Sequence, residues 1–200
     1  MTLDRLRPVA DRVLVPLVEG ADRLGLTPNG VSVLAFGFAV AAAGAFYVAS
    51  AVGYAVGALC VLCNGWLDLL DGELARKQGV DSKAGDLLDH VLDRYADIVV
   101  IVGIAAGLGA YALGLLAVTG VLMTSYLGTQ IQAVGLGREY GGLVGRADRL
   151  ALVGAAGVGT ALYPTSVGWY PLAGWLLVVF AVVGHVTALQ RFWGAWSDLR

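Results

Sequence analysis

The chain has 200 residues, of which 58% are hydrophobic and only 14% are charged, and its mean hydropathy is +0.76. A soluble domain carries about 25% charged residues, so this composition excludes an ordinary soluble protein and predicts an integral membrane protein. The net charge of −2 identifies no partner, and no nucleic-acid-binding signature is present.

Residues 1–25 are too polar to cross a bilayer. Their apolar residues recur at near-helical spacing between Arg, Asp and Glu, with prolines at Pro8 and Pro16. This pattern predicts an amphipathic helix that lies on the cytoplasmic membrane surface. The segment lacks the charged, apolar and cleavage regions of a signal peptide in their usual order.

Six apolar segments follow, and each approaches the ~20 residues that a membrane-spanning helix needs. The fifth is short, and the second and third continue as polar helix ends. The predicted fold is therefore an all-α integral membrane protein, with one domain over residues 1–200. It comprises the surface helix (1–25) and a bundle of six transmembrane helices (26–200). The predicted spans are 30–50, 54–70, 87–108, 111–134, 150–162 and 170–189.

The basic residues are distributed asymmetrically between the connectors. The connectors near residues 51–53, 109 and 164–169 contain no Lys or Arg, and all 13 basic residues fall on the other side. By the positive-inside rule, both termini and the acidic connector face the cytoplasm, as expected for a multi-pass protein of the cell membrane. An even number of spans agrees with this placement of the termini.

The segment from Asp68 to Asp93 concentrates carboxylates at the ends of two predicted spans. A carboxylate at membrane depth costs roughly 2.5–3.5 kcal/mol, so several together require a positive partner. Asp68 and Asp71 share one helix face, and Gly85, Asp89 and Asp93 follow at i, i+4 and i+8 on the next helix. Two antiparallel helices would bring the faces together as a four-carboxylate site for Mg²⁺, Mn²⁺ or Ca²⁺. Four carboxylates can hold two ions about 3.5–4 Å apart, an arrangement suited to phosphoryl chemistry.

Small residues accompany these acids. Gly72, Ala75 and Gly85 would leave room for a planar or phosphorylated ligand beside the helix backbones. Arg76 could pair with a phosphate or with a carboxylate of the site.

Together these residues resemble the signature of the CDP-alcohol phosphatidyltransferases at all eight of its defined positions. The matching pattern is Asp68-x2-Asp71-Gly72-x2-Ala75-Arg76-x8-Gly85-x3-Asp89-x3-Asp93. The resemblance extends over the whole chain, from the amphipathic start through the six spans. It is closest to the small prokaryotic type that makes phosphatidylglycerol phosphate or phosphatidylinositol phosphate.

The resemblance implies metal-dependent transfer of a phosphatidyl-type group from a CDP-lipid to the hydroxyl of a small polar alcohol, with release of CMP. One ion, Mg²⁺ or Mn²⁺, would be held by Asp68, Asp71 and Asp89, and a second would face Asp68, Asp89 and Asp93. Asp93 would also take the proton from the acceptor hydroxyl. The lipid tails would stay in the bilayer, and the family implies a homodimer.

The resemblance also implies a CDP pocket. The sequence Thr27-Pro28-Asn29 before the first span is similar to a turn common in the family, which adds Asn29 to the pocket. The implied CDP-binding residues are Asn29, Gly72, Ala75, Arg76 and Gly85.

The acceptor is predicted less directly. The connector 130–149 carries Arg138, Arg146 and Arg149, either as ordinary cytoplasmic charges or as a pocket for a phosphorylated acceptor. The inositol-phosphate members have a Lys-x-Arg pair where this chain has Gln132 and Val134. This departure favours glycerol phosphate as the acceptor, with inositol phosphate and then serine as alternatives.

Two other functions are weighed. An enzyme that uses CDP-choline or CDP-ethanolamine would be longer than these 200 residues and have more spans. A cation or proton carrier would distribute polar groups across the membrane, whereas the acids of this chain lie at one side of the bilayer. Asp97 extends the Asp89–Asp93 face by one turn, where it either supports the metal site or pairs with Arg94 or Arg149.

Overall fold

The structure is a computed structural model that describes residues 7–137 and 145–200, with side chains from residue 14 onward. The regular structure of the described residues is helical, with one isolated bridge between Val167 and Tyr170. Its helices are α1 (Arg7–Arg23), α2 (Pro28–Tyr47), α3 (Ala51–Gln78), α4 (Lys83–Gly107), α5 (Tyr111–Ala133), α6 (Arg146–Leu162) and α7 (Leu172–Asp198).

Four of the described helices, α2, α3, α5 and α7, are long and apolar enough to cross a membrane. The two remaining predicted spans correspond to α4 and α6. The first turns of α4 carry several charged residues, including Asp86, Asp89 and Asp93, and α6 has only 17 residues. The all-helical membrane class is therefore confirmed, and the number of six spans stays a prediction.

From residue 14 onward, helix α1 packs apolar side chains against α2 and α3. Leu14, Val18 and Ala21 are buried against side chains of α2 and α3, among them Leu74. At the end of α1, Asp22 accepts a 3.0 Å hydrogen bond from Gln78 Nε2. The carboxylate also lies 3.2 Å from Lys77 Nζ. The hydrogen bond from Gln78, followed by the contact with Lys77, lowers the pKa of Asp22.

Small residues allow the helices to approach closely, as is usual where membrane helices pack. A Cβ at Gly103 of α4 would lie 2.5 Å from the Ala43 carbonyl oxygen of α2. A Cβ at Gly184 of α7 would lie 2.6 Å from the carbonyl carbon of Gly120 in α5. The helices form two groups. In one group α2 packs against α3 and α4, and in the other α5 packs against α7, while α6 packs mainly on α3.

The turn between α3 and α4 reverses the chain with few residues. Gly79 ends α3 in the left-handed conformation (φ 64°), which glycine adopts without steric cost. Ser82 begins α4 by accepting a 3.1 Å hydrogen bond from the amide of Gly85. Because α2 packs against both helices, α3 and α4 make little direct contact along their length. This separation leaves space between their acid-bearing ends.

Candidate active site

Three aspartates from the two separated helices converge in that space. Asp68 of α3 and Asp89 and Asp93 of α4 each offer a carboxylate oxygen within 4.8 Å of the other two. The side chains are partly buried, and that of Asp93 is only 13% exposed. They are the trio that the family resemblance assigns to a second ion, and they are called the aspartate trio below.

The charge of the trio requires compensation. Two unit charges about 4 Å apart interact by about 4 kcal/mol at the effective dielectric of a protein surface. A donor set made only of carboxylate oxygens suits Mg²⁺ or Mn²⁺ better than zinc. The trio is the one group of this kind among the residues that the structure describes. The residues present therefore fit a divalent cation.

Asp71, the fourth predicted ligand, is held apart from the trio. Its side chain is buried, and its Oδ2 accepts a 2.6 Å hydrogen bond from Ser32 Oγ of α2. Asp71 lines the same small cavity as the trio, together with Ser32 and Asn64. Sequence reasoning did not identify Ser32 or Asn64. The available signal was two polar residues within otherwise apolar helices, where each needs a partner.

Arg146 lies inside the acidic site. Its Nη1 is 2.5 Å from Asp68 Oδ2, and its Nη2 is 2.5 Å from Asp93 Oδ1. The first turn of α6 positions this side chain, where Asp148 accepts a 3.0 Å hydrogen bond from the amide of Gly145. The sequence predicts Arg146 as a ligand for the acceptor phosphate, and the structure places it on two of the predicted metal ligands.

A second group of arginines surrounds the middle of α5. Arg149 forms a buried ion pair with Asp97, with Nη2 2.9 Å from Oδ2. Arg94 lies 3.5 Å from the same oxygen. Asp97 is therefore the partner of Arg149 and Arg94, which was one of the two interpretations of this residue.

Two of the arginines around α5 also bind α5 itself. Arg94 Nη1 donates to Ser125 Oγ. Arg191 of α7 donates a 2.6 Å hydrogen bond to the carbonyl oxygen of Thr124. Sequence reasoning treated Arg191 only as a topological charge. Arg138, the remaining predicted acceptor ligand, lies outside the described residues.

The predicted CDP-binding residues lie on the ends of α2, α3 and α4. Asn29 Oδ1 is 3.5 Å from the position that a Cβ at Gly85 would occupy, so these two residues are neighbours. A Cβ at Gly72 would lie 3.7 Å from the guanidinium nitrogens of Arg76. That guanidinium donates to Glu73, with Nη2 2.5 Å from Oε1. Ala75, on the same helix, is partly buried.

An apolar groove with a volume of about 760 Å³ runs between α3 and α6. Its walls are mostly small and branched aliphatic residues, such as Ala58, Leu62 and Ala151, and Asp68 and Arg146 also line it. The groove therefore joins an apolar surface of α3 and α6 to the acidic site.

These features are those of a membrane-embedded, metal-dependent transferase, and comparison with known proteins identifies the class. The model of the CDP-alcohol phosphatidyltransferase family matches residues 25–187. The chain belongs to this family, and it is an enzyme of phospholipid biosynthesis. The sequence-based assignment to the family is therefore confirmed.

Two similar proteins are named as synthases of inositol phosphate lipids. The chain is 31% identical to the archaetidylinositol phosphate synthase of Methanothermobacter thermautotrophicus, over 99% of this chain and 96% of that protein. It also resembles the crystal structure of Mycobacterium tuberculosis phosphatidylinositol phosphate synthase with CDP-DAG bound. The TM-score is 0.79 and the identity 28%, over 92% of this chain and 94% of that one.

A second crystal structure of the M. tuberculosis enzyme contains manganese and citrate. It matches with the same TM-score of 0.79 and 28% identity, over 92% of this chain and 88% of that one. Together with the aspartate trio, this likeness confirms the predicted cofactor, a divalent ion that is either Mg²⁺ or Mn²⁺.

Proposed function

We propose that the protein transfers a diacyl- or dialkylglycerol phosphate group from a CDP-lipid to a hydroxyl of inositol phosphate, releasing CMP at the cytoplasmic side of the membrane. The observation that carries this proposal is the aspartate trio at the end of an apolar groove, with a group of arginines beside it. The trio fits the diphosphate-binding metal, the groove fits lipid chains, and the arginines fit a phosphorylated acceptor.

The nucleotide and the lipid chains of the CDP-lipid donor would bind in different surroundings, one polar and one apolar. The predicted metal ligands are Asp68, Asp71, Asp89 and Asp93, and the predicted CDP-binding residues are Asn29, Gly72, Ala75, Arg76 and Gly85. The nucleotide would lie along the polar ends of α3 and α4. The lipid chains would lie in the groove between α3 and α6, whose walls are mostly apolar.

In the reaction, the acceptor hydroxyl oxygen attacks the phosphorus that carries the lipid, and the bond from that phosphorus to the CMP oxygen breaks. A divalent ion held by the aspartates would neutralise the charge that develops on the diphosphate. Asp93 accepts the proton of the attacking hydroxyl, for which its partly buried position at the trio is suited. Asp71, fixed by Ser32, holds its carboxylate at the side of the site nearest α2.

Inositol phosphate replaces glycerol phosphate as the favoured acceptor. The sequence favours glycerol phosphate because Gln132 and Val134 stand where inositol-phosphate members carry two basic residues. The comparisons give glycerol phosphate no support, since the relatives described above are inositol phosphate synthases. In addition, Arg94, Arg149 and Arg191 come from three helices to the same part of α5. Arg94 and Arg191 supply positive charge there from outside the connector, which itself contributes Arg149.

Release of CMP by the purified protein tests the proposal. The assay contains Mn²⁺ or Mg²⁺, a diacyl or a dialkyl CDP-lipid, and inositol phosphate, glycerol phosphate, serine or buffer alone. We expect stimulation by inositol phosphate with at least one of the two lipids, and none in the Asp93→Asn variant. Stimulation by glycerol phosphate alone would show that glycerol phosphate is the acceptor, as the sequence favours. Release of CMP that does not depend on any acceptor would refute both inositol phosphate and glycerol phosphate.

The same preparation tests the predicted assembly. The family resemblance implies a homodimer, and α4 and α5 expose apolar side chains such as Val102, Leu115 and Leu116. We expect a mass of two chains in detergent micelles by light scattering. A monomer that releases CMP at a normal rate would contradict a functional dimer.

A further inference from the structure

We propose that Arg146 is the resident counter-ion of the aspartate trio, and that a divalent cation must displace it before the site can act. The inference rests on the proposed function for the identity of the metal site. It assigns to one arginine two alternative positions, one on the aspartates and one facing an anionic ligand.

The geometry makes the two cations exclusive. The guanidinium of Arg146 is 2.5 Å from one oxygen of Asp68 and 2.5 Å from one oxygen of Asp93. A small divalent ion such as Mg²⁺ binds carboxylate oxygens at about 2.0–2.1 Å, so an ion on these same two oxygens would occupy nearly the same space as the guanidinium. Two positive groups cannot share that position. Binding of the ion therefore requires the guanidinium to leave.

The displaced side chain has a route. Arg146 is the first residue of α6, and it lines both the acidic cavity and the apolar groove. Rotation of the side chain can move the guanidinium between these cavities without moving the helix. Its Nε is buried and donates to no atom of the described chain, so hydrogen-bonding capacity remains for an incoming acceptor. A phosphate at the junction of groove and trio would satisfy it.

The exchange would order the reaction. While Arg146 binds Asp68 and Asp93, one oxygen of each carboxylate is paired with the guanidinium and is not available to a metal ion. Metal binding would place the ion on the carboxylates and release the guanidinium to an anion in one step. Anions would therefore bind more tightly after the metal than before it.

Affinity for Mn²⁺ alone tests the exchange without either substrate. Titration followed by the electron paramagnetic resonance signal of free Mn²⁺ should show at least about tenfold tighter binding to Arg146→Gln than to wild type, because the ion no longer competes with a charged hydrogen-bonded group. Arg23→Gln is the control, since it removes the same charge from an exposed pair with Glu19, outside the site. Equal or weaker binding to Arg146→Gln, or an equal gain in Arg23→Gln, would overturn the proposal.

Chemical modification of the wild-type protein gives a second test, which does not depend on a variant folding. An arginine-selective dicarbonyl reagent, with peptide mapping by mass spectrometry, should modify Arg146 faster when Mn²⁺ is present. Arg149, which is paired with Asp97, serves as the internal control and should keep its rate. An Arg146 rate that is unchanged or slower with Mn²⁺ would overturn the exchange. Neither measurement involves CMP release, so a failure here leaves the transferase proposal to its own assay.

Discussion

Ser32 Oγ donates a 2.6 Å hydrogen bond to Asp71 Oδ2, and both side chains are buried. The bond connects α2 to α3 at the edge of the acidic site, 39 residues apart in the chain. Ser32 also lies 3.2 Å from the carbonyl oxygen of Pro28, in the turn that carries Asn29. One hydroxyl group therefore links a predicted metal ligand to the turn predicted to bind CDP.

Replacement of Ser32 should reduce activity through Asp71. In Ser32→Ala the carboxylate loses a fixed orientation, and the loss of such a supporting contact typically lowers metal affinity or activity by about 10–100-fold. Ser32→Thr keeps the hydroxyl group and should retain most of the activity. Mn²⁺ titration and CMP release on both variants measure the effect. Equal values for Ser32→Ala and wild type would show that Asp71 does not depend on this contact.

Asp93→Asn should abolish turnover without disturbing the fold. The amide keeps the shape of the side chain but cannot accept the acceptor's proton, and general-base contributions are typically about 10²–10⁴-fold. Rates of CMP release and thermal unfolding in detergent give the two readouts. Near-normal turnover in a folded variant would remove Asp93 as the base.

The buried pair of Arg149 and Asp97 should contribute to stability. Arg149→Met removes the 2.9 Å partner of the buried Asp97 carboxylate, and breaking a buried pair typically costs about 3–5 kcal/mol in free energy of unfolding. The double variant Asp97→Asn/Arg149→Gln removes both charges and should lose less. Denaturant unfolding in micelles compares the two. A single variant as stable as the double one would contradict the prediction.

Arg191 should affect the acceptor more than the donor. Arg191→Gln removes a charge beside Thr124, and we expect the KM for inositol phosphate to rise about tenfold, the loss of one charge-assisted hydrogen bond. The KM for the CDP-lipid should change little, and Arg191→Lys should be intermediate. Steady-state kinetics with each substrate varied in turn make the measurement. Equal increases in both KM values would indicate a general structural role.

Docking of α1 should depend on pH through Asp22. The hydrogen bond from Gln78 and the contact with Lys77 lower the pKa of Asp22 in the folded protein. Its contribution is therefore present above the unfolded pKa, near 3.8, and is lost as the pH falls through the lower folded value.

Asp22→Asn should thus lower the thermal unfolding temperature slightly at pH 6, with the difference from wild type shrinking toward pH 3. Glu19→Gln is the matched control, because Glu19 forms only an exposed pair with Arg23 in the same helix. A difference between Asp22→Asn and wild type that persists unchanged in acid would assign the effect to something other than the charge of Asp22.

The parts of the site that lie close in sequence follow from helical periodicity. Asp89 and Asp93 are one turn apart, and a short turn returns the chain to Asp68, so the sequence predicts their convergence. The contact between Arg146 and Asp68 joins residues 78 positions apart. It depends on how α6 packs against α3, and no local pattern encodes that packing.

The same dependence on helix packing explains why the sequence alone favours glycerol phosphate as the acceptor. At Gln132 and Val134 the sequence shows two missing charges, and both residues are exposed at the end of α5. The arginines that surround α5 come from α4, α6 and α7, and become neighbours only when the bundle forms. The number of spans is a separate matter: the sequence predicts a span over 87–108, but α4 is not among the four described helices apolar enough to cross a membrane, because the charges that build the site lie in its first turns.

For the proposed function, the groove between α3 and α6 determines how the reaction rate depends on the composition of the surrounding lipids. A donor whose chains stay in the groove arrives by lateral diffusion within one leaflet, while the acceptor arrives from water. The rate at fixed acceptor should therefore follow the mole fraction of CDP-lipid among the surrounding lipids. Adding inert lipid or detergent at constant bulk concentration should slow the enzyme by surface dilution alone.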